Sequence, residues 1–189
     1  HRLCCGMAFS SKGFREQARQ KEDELNKVLL KISNDGALPI LCDMSPCLLH
    51  MRETLDKRLR LYEPVEFIYD FMLDKLEFEP LPVTVAVHST CSTTKMGVTA
   101  KLQKLAGMCA AKVVSPMDVT CCGWAGDRGF FYPELNASAL RTLPVGLEGA
   151  TEGYSNSRTC EIGLTMNSGI SYKSIVYLVD KVTRKKEKA

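Results

Sequence analysis

Two cysteine pairs hold the chemistry of this sequence. Cys4-Cys5-Gly6 recurs as Cys121-Cys122-Gly123, and the copies run on alike, through Met7-Ala8 and Lys12-Gly13-Phe14 in one and Trp124-Ala125 and Arg128-Gly129-Phe130 in the other. Adjacent cysteines are poor disulfide partners, because closing the bridge strains the peptide and the Cβ–S–S–Cβ torsion. They suit two irons of one cluster. The glycine after each pair lets the backbone turn closely around something bulky, which a Cβ would obstruct. In the second half Cys91, Cys121, Cys122 and Cys160 come from different segments, and four thiolates are what a 4Fe-4S cluster needs. The first half offers Cys4, Cys5 and Cys47, with Cys42 nearby. Two other readings stay open. The four could be buried free cysteines, which pack as small apolar groups. They could also bind structural zinc, although such sites commonly use two short Cys-x-x-Cys knuckles that this set lacks.

For these sulfurs to meet, distant segments must be carried to one edge, and the order of elements suits that. Residues 15–32 put Leu25, Val28, Leu29 and Ile32 on one face, which predicts an amphipathic helix ending at Asn34-Asp35-Gly36. Residues 39–42 read as a short buried strand. Ser45 as N-cap and Pro46 as first helical residue set Cys47 in the first turn, facing a positive helix end. A helix over 64–76 follows, and Glu79-Pro80-Leu81-Pro82 then breaks the chain. Beyond it come a strand over 83–88, Cys91, a helix over 94–106 capped by Ser92, Thr93 and Thr94, and a strand over 111–114. After the second pair the pattern predicts a helix over 135–141, an extended piece near Tyr154, a helix opened by Cys160 and a last helix over 172–183. Strand, helix, strand with a site at the strand ends is the logic of a doubly wound parallel sheet.

The expected fold is therefore α/β, with two tandem pseudo-repeated Rossmann-like units built on parallel sheets. Residues 1–79 are read as the C-terminal part of a first repeat and residues 80–189 as a complete second. The chain opens at His1 almost directly on a cysteine pair, so it reads as a C-terminal fragment whose counterpart of Cys91 in the first repeat lies upstream.

Composition narrows the function class. Apolar residues at 45% supply a core, and nine cysteines in a chain of 189 residues do not resemble the disulfide framework of a short secreted domain. A reducing, metal-using cytosol fits better. A net charge of +3 with scattered basic residues does not imply nucleic acid, and the basic tail from Lys181 to Lys188 reads as a frayed, solvated end. No apolar run is long enough for a membrane span. No G-x-S-x-G, G-x-G-x-x-G, P-loop or Cys-x-x-Cys is present.

Neighbouring residues have simpler readings. Cys42 and Cys109 are expected in the core, and His50 on a solvent face. His88 reads as satisfied at a strand end, with donation to a cluster edge as the alternative. Trp124 and Met7 read as shields over the pairs, and Arg128 and Arg158 as basic neighbours for an anionic cluster.

The wording CCGMAFSSKGF from Cys4, the stretch from His88 to Cys91, CCGWAGDRGFFYPELNASAL from Cys121 and SNSRTCEIGL from Ser155 resembles the cysteine-rich CCG region that ends the FAD-linked, iron-sulfur D-lactate dehydrogenases. More broadly it resembles the CCG domains found in heterodisulfide reductase, in the glycolate oxidase iron-sulfur subunit and in the anaerobic glycerol-3-phosphate dehydrogenase. The resemblance implies an iron-sulfur electron-transfer region. An FAD domain or subunit outside this sequence would oxidise a 2-hydroxy acid, and electrons would leave towards a cytochrome or quinone. This chain alone is not expected to oxidise substrate. It is expected in the cytoplasm or bound peripherally to the inner face of the membrane. His50 and Gly163 stand where heterodisulfide reductase-like copies complete a Cys-x-x-Cys, which favours one four-thiolate cluster per intact repeat; Ala8 stands where the lactate dehydrogenase wording has proline. The alternatives are a zinc-stapled interaction module and an iron-sulfur subunit of a glycolate or glycerol-3-phosphate dehydrogenase.

Overall fold

The computed structural model describes residues 3–116 and 118–186. They form two compact units, His1–Pro64 and Val65–Ala189.

In the first unit a short helix α1 (Met7–Ser10) leads into the long α2 (Arg15–Ile32). Ala18, Leu25 and Leu29 form its buried face, whereas Val28 is half-buried and Ile32 is exposed. The expected stripe is thus shorter, because Ile32 occupies the last helical position before Asn34, Asp35 and Gly36 turn the chain with positive φ. Strand β1 (Pro39–Leu41), helix α3 (Ser45–Thr54) and strand β2 (Arg60–Tyr62) complete the unit. β1 and β2 pair in parallel, with Ile40 opposite Leu61. α3 buries Leu48 and Met51; its N-cap is Met44 rather than Ser45, and Cys47 is its third residue.

The second unit is a parallel sheet covered on both faces. Its helices and strands are α4 (Pro64–Phe71), β3 (Leu76–Phe78), β4 (Leu81–Val87), α5 (Cys91–Lys95), α6 (Thr99–Cys109), β5 (Ala110–Val114), α7 (Pro133–Ala139), β6 (Glu152–Ser155), α8 (Arg158–Ser168), β7 (Ser171–Ser174), α9 (Ile175–Val182) and β8 (Thr183–Lys185). The main sheet runs β5-β4-β6-β7, all parallel. Alternation along β4 explains its two cores. Val85 and Val87 join Leu102 and Leu105 of α6 and Ile175 and Leu178 of α9, while Ala86 joins Trp124, Leu140 and Leu164 on the other side. The fold is mixed α/β with parallel sheets, as the sequence predicts.

The compact units divide at Pro64, since Val65 and Ile68 of α4 are buried in the core with α6 and α9; this packing boundary is distinct from the expected repeat boundary after residue 79. Two expectations change. The last helix starts at Ile175, since Tyr172 belongs to β7. The basic tail is not frayed over Thr183–Lys185, which pairs antiparallel with β3; Glu187 and Lys188 lie outside the described residues.

The element order recurs between the two halves. β1, α3 and β2 correspond to β6, α8 and β7: each set is a parallel strand pair joined by a helix, and Cys47 and Cys160 are each the third residue of that helix. No helix among the described residues is long and apolar enough to cross a membrane.

Candidate metal centre

The sheet order creates the site. From β4 the chain crosses to β5 on one side, and from β6 it crosses to β7 on the other, so the C-terminal ends of β4 and β6 flank a topological switch point, where ligands of open α/β sheets bind. Cys91 opens α5 after β4, and Cys160 lies in the first turn of α8 after β6. Cys121 and Cys122 follow β5 in an irregular segment. The cap of α5 is Thr90, whose side chain accepts from the Thr93 N–H, rather than the expected Ser92 to Thr94.

The four thiols form a chain of contacts. The Cys122 Sγ lies 2.8 Å from the Cys160 Sγ, and Cys121 is near enough to act on both Cys122 and Cys91. Cys91 and Cys121 are exposed, whereas Cys122 and Cys160 are buried. The thiols act on one another in opposite directions. Hydrogen bonds from Cys122 and Cys91 push the Cys121 thiol down, and the bond from Cys122 pushes Cys160 down. Cys122, the donor to both, is pushed up, as is Cys91 by its bond to Cys121 and by burial.

Both pairs share one local geometry. The Gly123 N–H points to the Cys121 Sγ at 3.4 Å, and the Gly6 N–H to the Cys4 Sγ at 3.5 Å. Gly123 has φ +69 and Gly6 φ +87, a region that L side chains rarely adopt. The close neighbour expected around each glycine is a helix. A Cβ on Gly123 would lie 2.6 Å from the Leu135 carbonyl oxygen of α7, and one on Gly6 would lie 2.8 Å from that of Ala18 in α2.

Polar side chains invisible as a motif hold these loops. Thr93 Oγ1 donates to Asn156 Oδ1 at 2.8 Å, tying the loop after β4 to the loop after β6. Asn136 donates to the Cys122 carbonyl oxygen and accepts from Asn167 Nδ2. Trp124 is buried and meets the ring of Phe130 edge-on at 5.0 Å. Its ring lies so close to Gly129 and Gly163 that a Cβ at either would overlap it. The residue that departs from Cys-x-x-Cys, Gly163, is therefore the one that accommodates the indole.

Arg158 differs from expectation. It pairs with the buried Glu161 at 3.1 Å and stacks on Tyr177, so its charge is partnered within α8 and α9 rather than given to the cysteines. In the first unit Cys5 and Cys47 are free thiols, and the hydrogen bond between them lowers Cys5 to about 6 and raises Cys47. Cys42 is half-buried and close enough for Cys5 to influence it, while Cys109 is fully buried as expected. His50 is not on a solvent face, because its Nε2 meets Glu22 Oε1 at 2.9 Å with both side chains largely covered.

Among the described residues no group of three or more His, Cys, Asp or Glu side chains is gathered to hold a metal ion. The donor set is nevertheless four thiols in a chain of pair contacts. A single zinc requires all ligands about one centre, whereas a cluster gives each thiolate its own iron. Beside this set the buried His88 Nε2 and Trp124 Nε1 lack hydrogen-bond partners. The donor set is one that either an iron-sulfur cluster or a structural zinc would use.

The cysteine-rich domain family CCG matches residues 85–145, a span with Cys91, Cys121 and Cys122 that stops short of Cys160. Two relatives, each a subunit of an anaerobic glycerol-3-phosphate dehydrogenase, come from Escherichia coli strain K12 and Escherichia coli O157:H7. Each is 24% identical over 182 residues, covering 88% of this chain and 46% of the relative. The chain spans about half the length of the curated relatives it matches. No solved structure is a significant match. Residues 85–145 thus match the cysteine-rich CCG domain, and the chain is similar to these dehydrogenase subunits.

Proposed function

We propose that the second unit binds a 4Fe-4S cluster through Cys91, Cys121, Cys122 and Cys160, and that the chain is the electron-transfer region of a flavin-dependent dehydrogenase. The observation that carries this reading is the run of thiol contacts from Cys91 to Cys160 at the switch point of the sheet. Such a cluster supplies one-electron exchange between a reduced flavin and an acceptor such as a cytochrome or quinone. Asn136 fixes the Cys122 peptide, the Thr93–Asn156 bond fixes the two strand-end loops, and Trp124 keeps water from the buried sulfurs. Cys4, Cys5 and Cys47 are the equivalent ligands of a less complete site in the first unit.

Substrate oxidation belongs to an FAD-bearing domain or subunit. The wording of the second half favours D-lactate or another 2-hydroxy acid, and the similarity to the glycerol-3-phosphate dehydrogenase subunits favours glycerol-3-phosphate. Such a component works in the cytoplasm or peripherally on the inner face of the membrane.

Anaerobic incubation with iron and sulfide, followed by desalting, tests the cluster. The expected product is brown, retains about four irons and four sulfides per site, and bleaches on reduction. A colourless product that instead retains zinc would overturn the reading in favour of a zinc-stapled interaction module. Pairing loaded protein with flavoprotein dehydrogenases for D-lactate, glycolate and glycerol-3-phosphate separates the substrates, since bleaching should follow addition of one of them.

A further inference from the structure

His88 closes β4 with its backbone tied on both sides: its N–H donates to the Tyr154 carbonyl at 2.9 Å, and its own carbonyl accepts from Ser155 Oγ at 3.0 Å. The residue is 3% exposed, and Nε2 has no hydrogen-bond partner among the described residues. A buried nitrogen left unpaired costs about 1–3 kcal/mol, so a fold that fixes it there needs a partner. His88 is therefore not the satisfied strand-end histidine of the simpler reading. The Cys121 side chain is near enough to influence the ring, and Cys91 lies three residues further along the chain.

We propose that the Nε2–H of His88 donates a hydrogen bond to the Cys121 sulfur, or to a sulfide beside it, in the iron-sulfur site, and so raises its reduction potential. The inference rests on the cluster reading above. Reduction adds negative charge that spreads over the sulfurs, so a donor aimed at one of them stabilises the reduced state more than the oxidised state. Burial of the ring strengthens the effect, because little water competes for the sulfur.

The test begins with the wild-type chain loaded anaerobically and its iron and labile sulfide measured. A chain that takes up neither overturns the cluster reading, and this inference with it. On loaded protein carrying 15N-histidine, electron–nuclear double resonance of the paramagnetic reduced state should detect a weakly coupled nitrogen and an exchangeable proton, and the nitrogen signal should vanish in His88→Gln. Redox titration of His88→Phe should show the reduction equilibrium weakened about threefold to tenfold, the scale of one ordinary net hydrogen bond. His88→Gln, which keeps an N–H, should recover part of the shift. Full iron content with an unchanged potential and no coupled histidine nitrogen would overturn the hydrogen bond and leave the cluster standing. Should His88→Phe fail to load, the nitrogen coupling of the wild type decides alone.

Discussion

Gly6 and Gly123 are constrained twice, by positive φ and by a helix carbonyl where a side chain would go. Gly123→Ala should therefore destabilise the second unit by about 2 kcal/mol or more, since strain and overlap add. A urea titration would show it as a lower midpoint, and an unchanged midpoint would mean that the loop relaxes freely. Cys109 provides the contrast. Its thiol is fully buried, donates to the Leu105 carbonyl at 3.1 Å, and is pushed up to about 12 by burial. Cys109→Ala should cost about 1 kcal/mol and leave bound iron unchanged. Iron loss in this variant would place a fifth cysteine in the site.

At the scale of elements, the candidate cysteines are positioned by the ends of β4 and β6 and by a brace between α7 and α8. Asn136 of α7 reaches the Cys122 carbonyl, and Asn167 of α8 reaches Asn136. Asn136→Ala removes the shared partner, leaving buried polar groups short of a hydrogen bond. The expected cost is about 2 kcal/mol, with faster iron loss from reconstituted protein after desalting. Thermal unfolding and timed iron assays check the two parts separately; a destabilised variant that keeps its iron as long as the wild type would show that the brace does not position the ligand.

Across the whole molecule, repetition and packing follow different boundaries. The repeated order ends with β3 in one copy and β8 in the other, and these two strands pair with each other. The compact units instead divide at Pro64, so α4 and β3 of the first copy belong to the unit that contains the second. The cysteines differ between copies as well: four neighbouring free thiols in the second unit, and a hydrogen bond between the free thiols of Cys5 and Cys47 with Cys42 nearby in the first. Cys122→Ser should remove most bound iron, whereas Cys5→Ser should change it little. Equal losses in the two variants would show that the first site is occupied, with Cys42 or His50 as an added ligand.

The duplicated Cys-Cys-Gly wording, the parallel α/β class and the helix starts that carry Cys47 and Cys160 were determined by the sequence itself, because adjacent cysteines, proline near a helix start and hydrophobic period are local properties. Tertiary structure decided what depends on distant partners. It paired Thr183–Lys185 with β3, because a basic run can form a strand when an edge is available. It turned His50 towards Glu22 and paired Arg158 with Glu161, since sequence spacing does not tell which charge a helix will face. Asn136, Asn156 and Thr93 carry no motif, as their role is to satisfy backbone and side-chain groups that become neighbours only when the sheet assembles. His88 was legible as a residue near a cysteine, but its unpaired nitrogen was not: burial and the lack of a partner are properties of the packed β4–β6 edge.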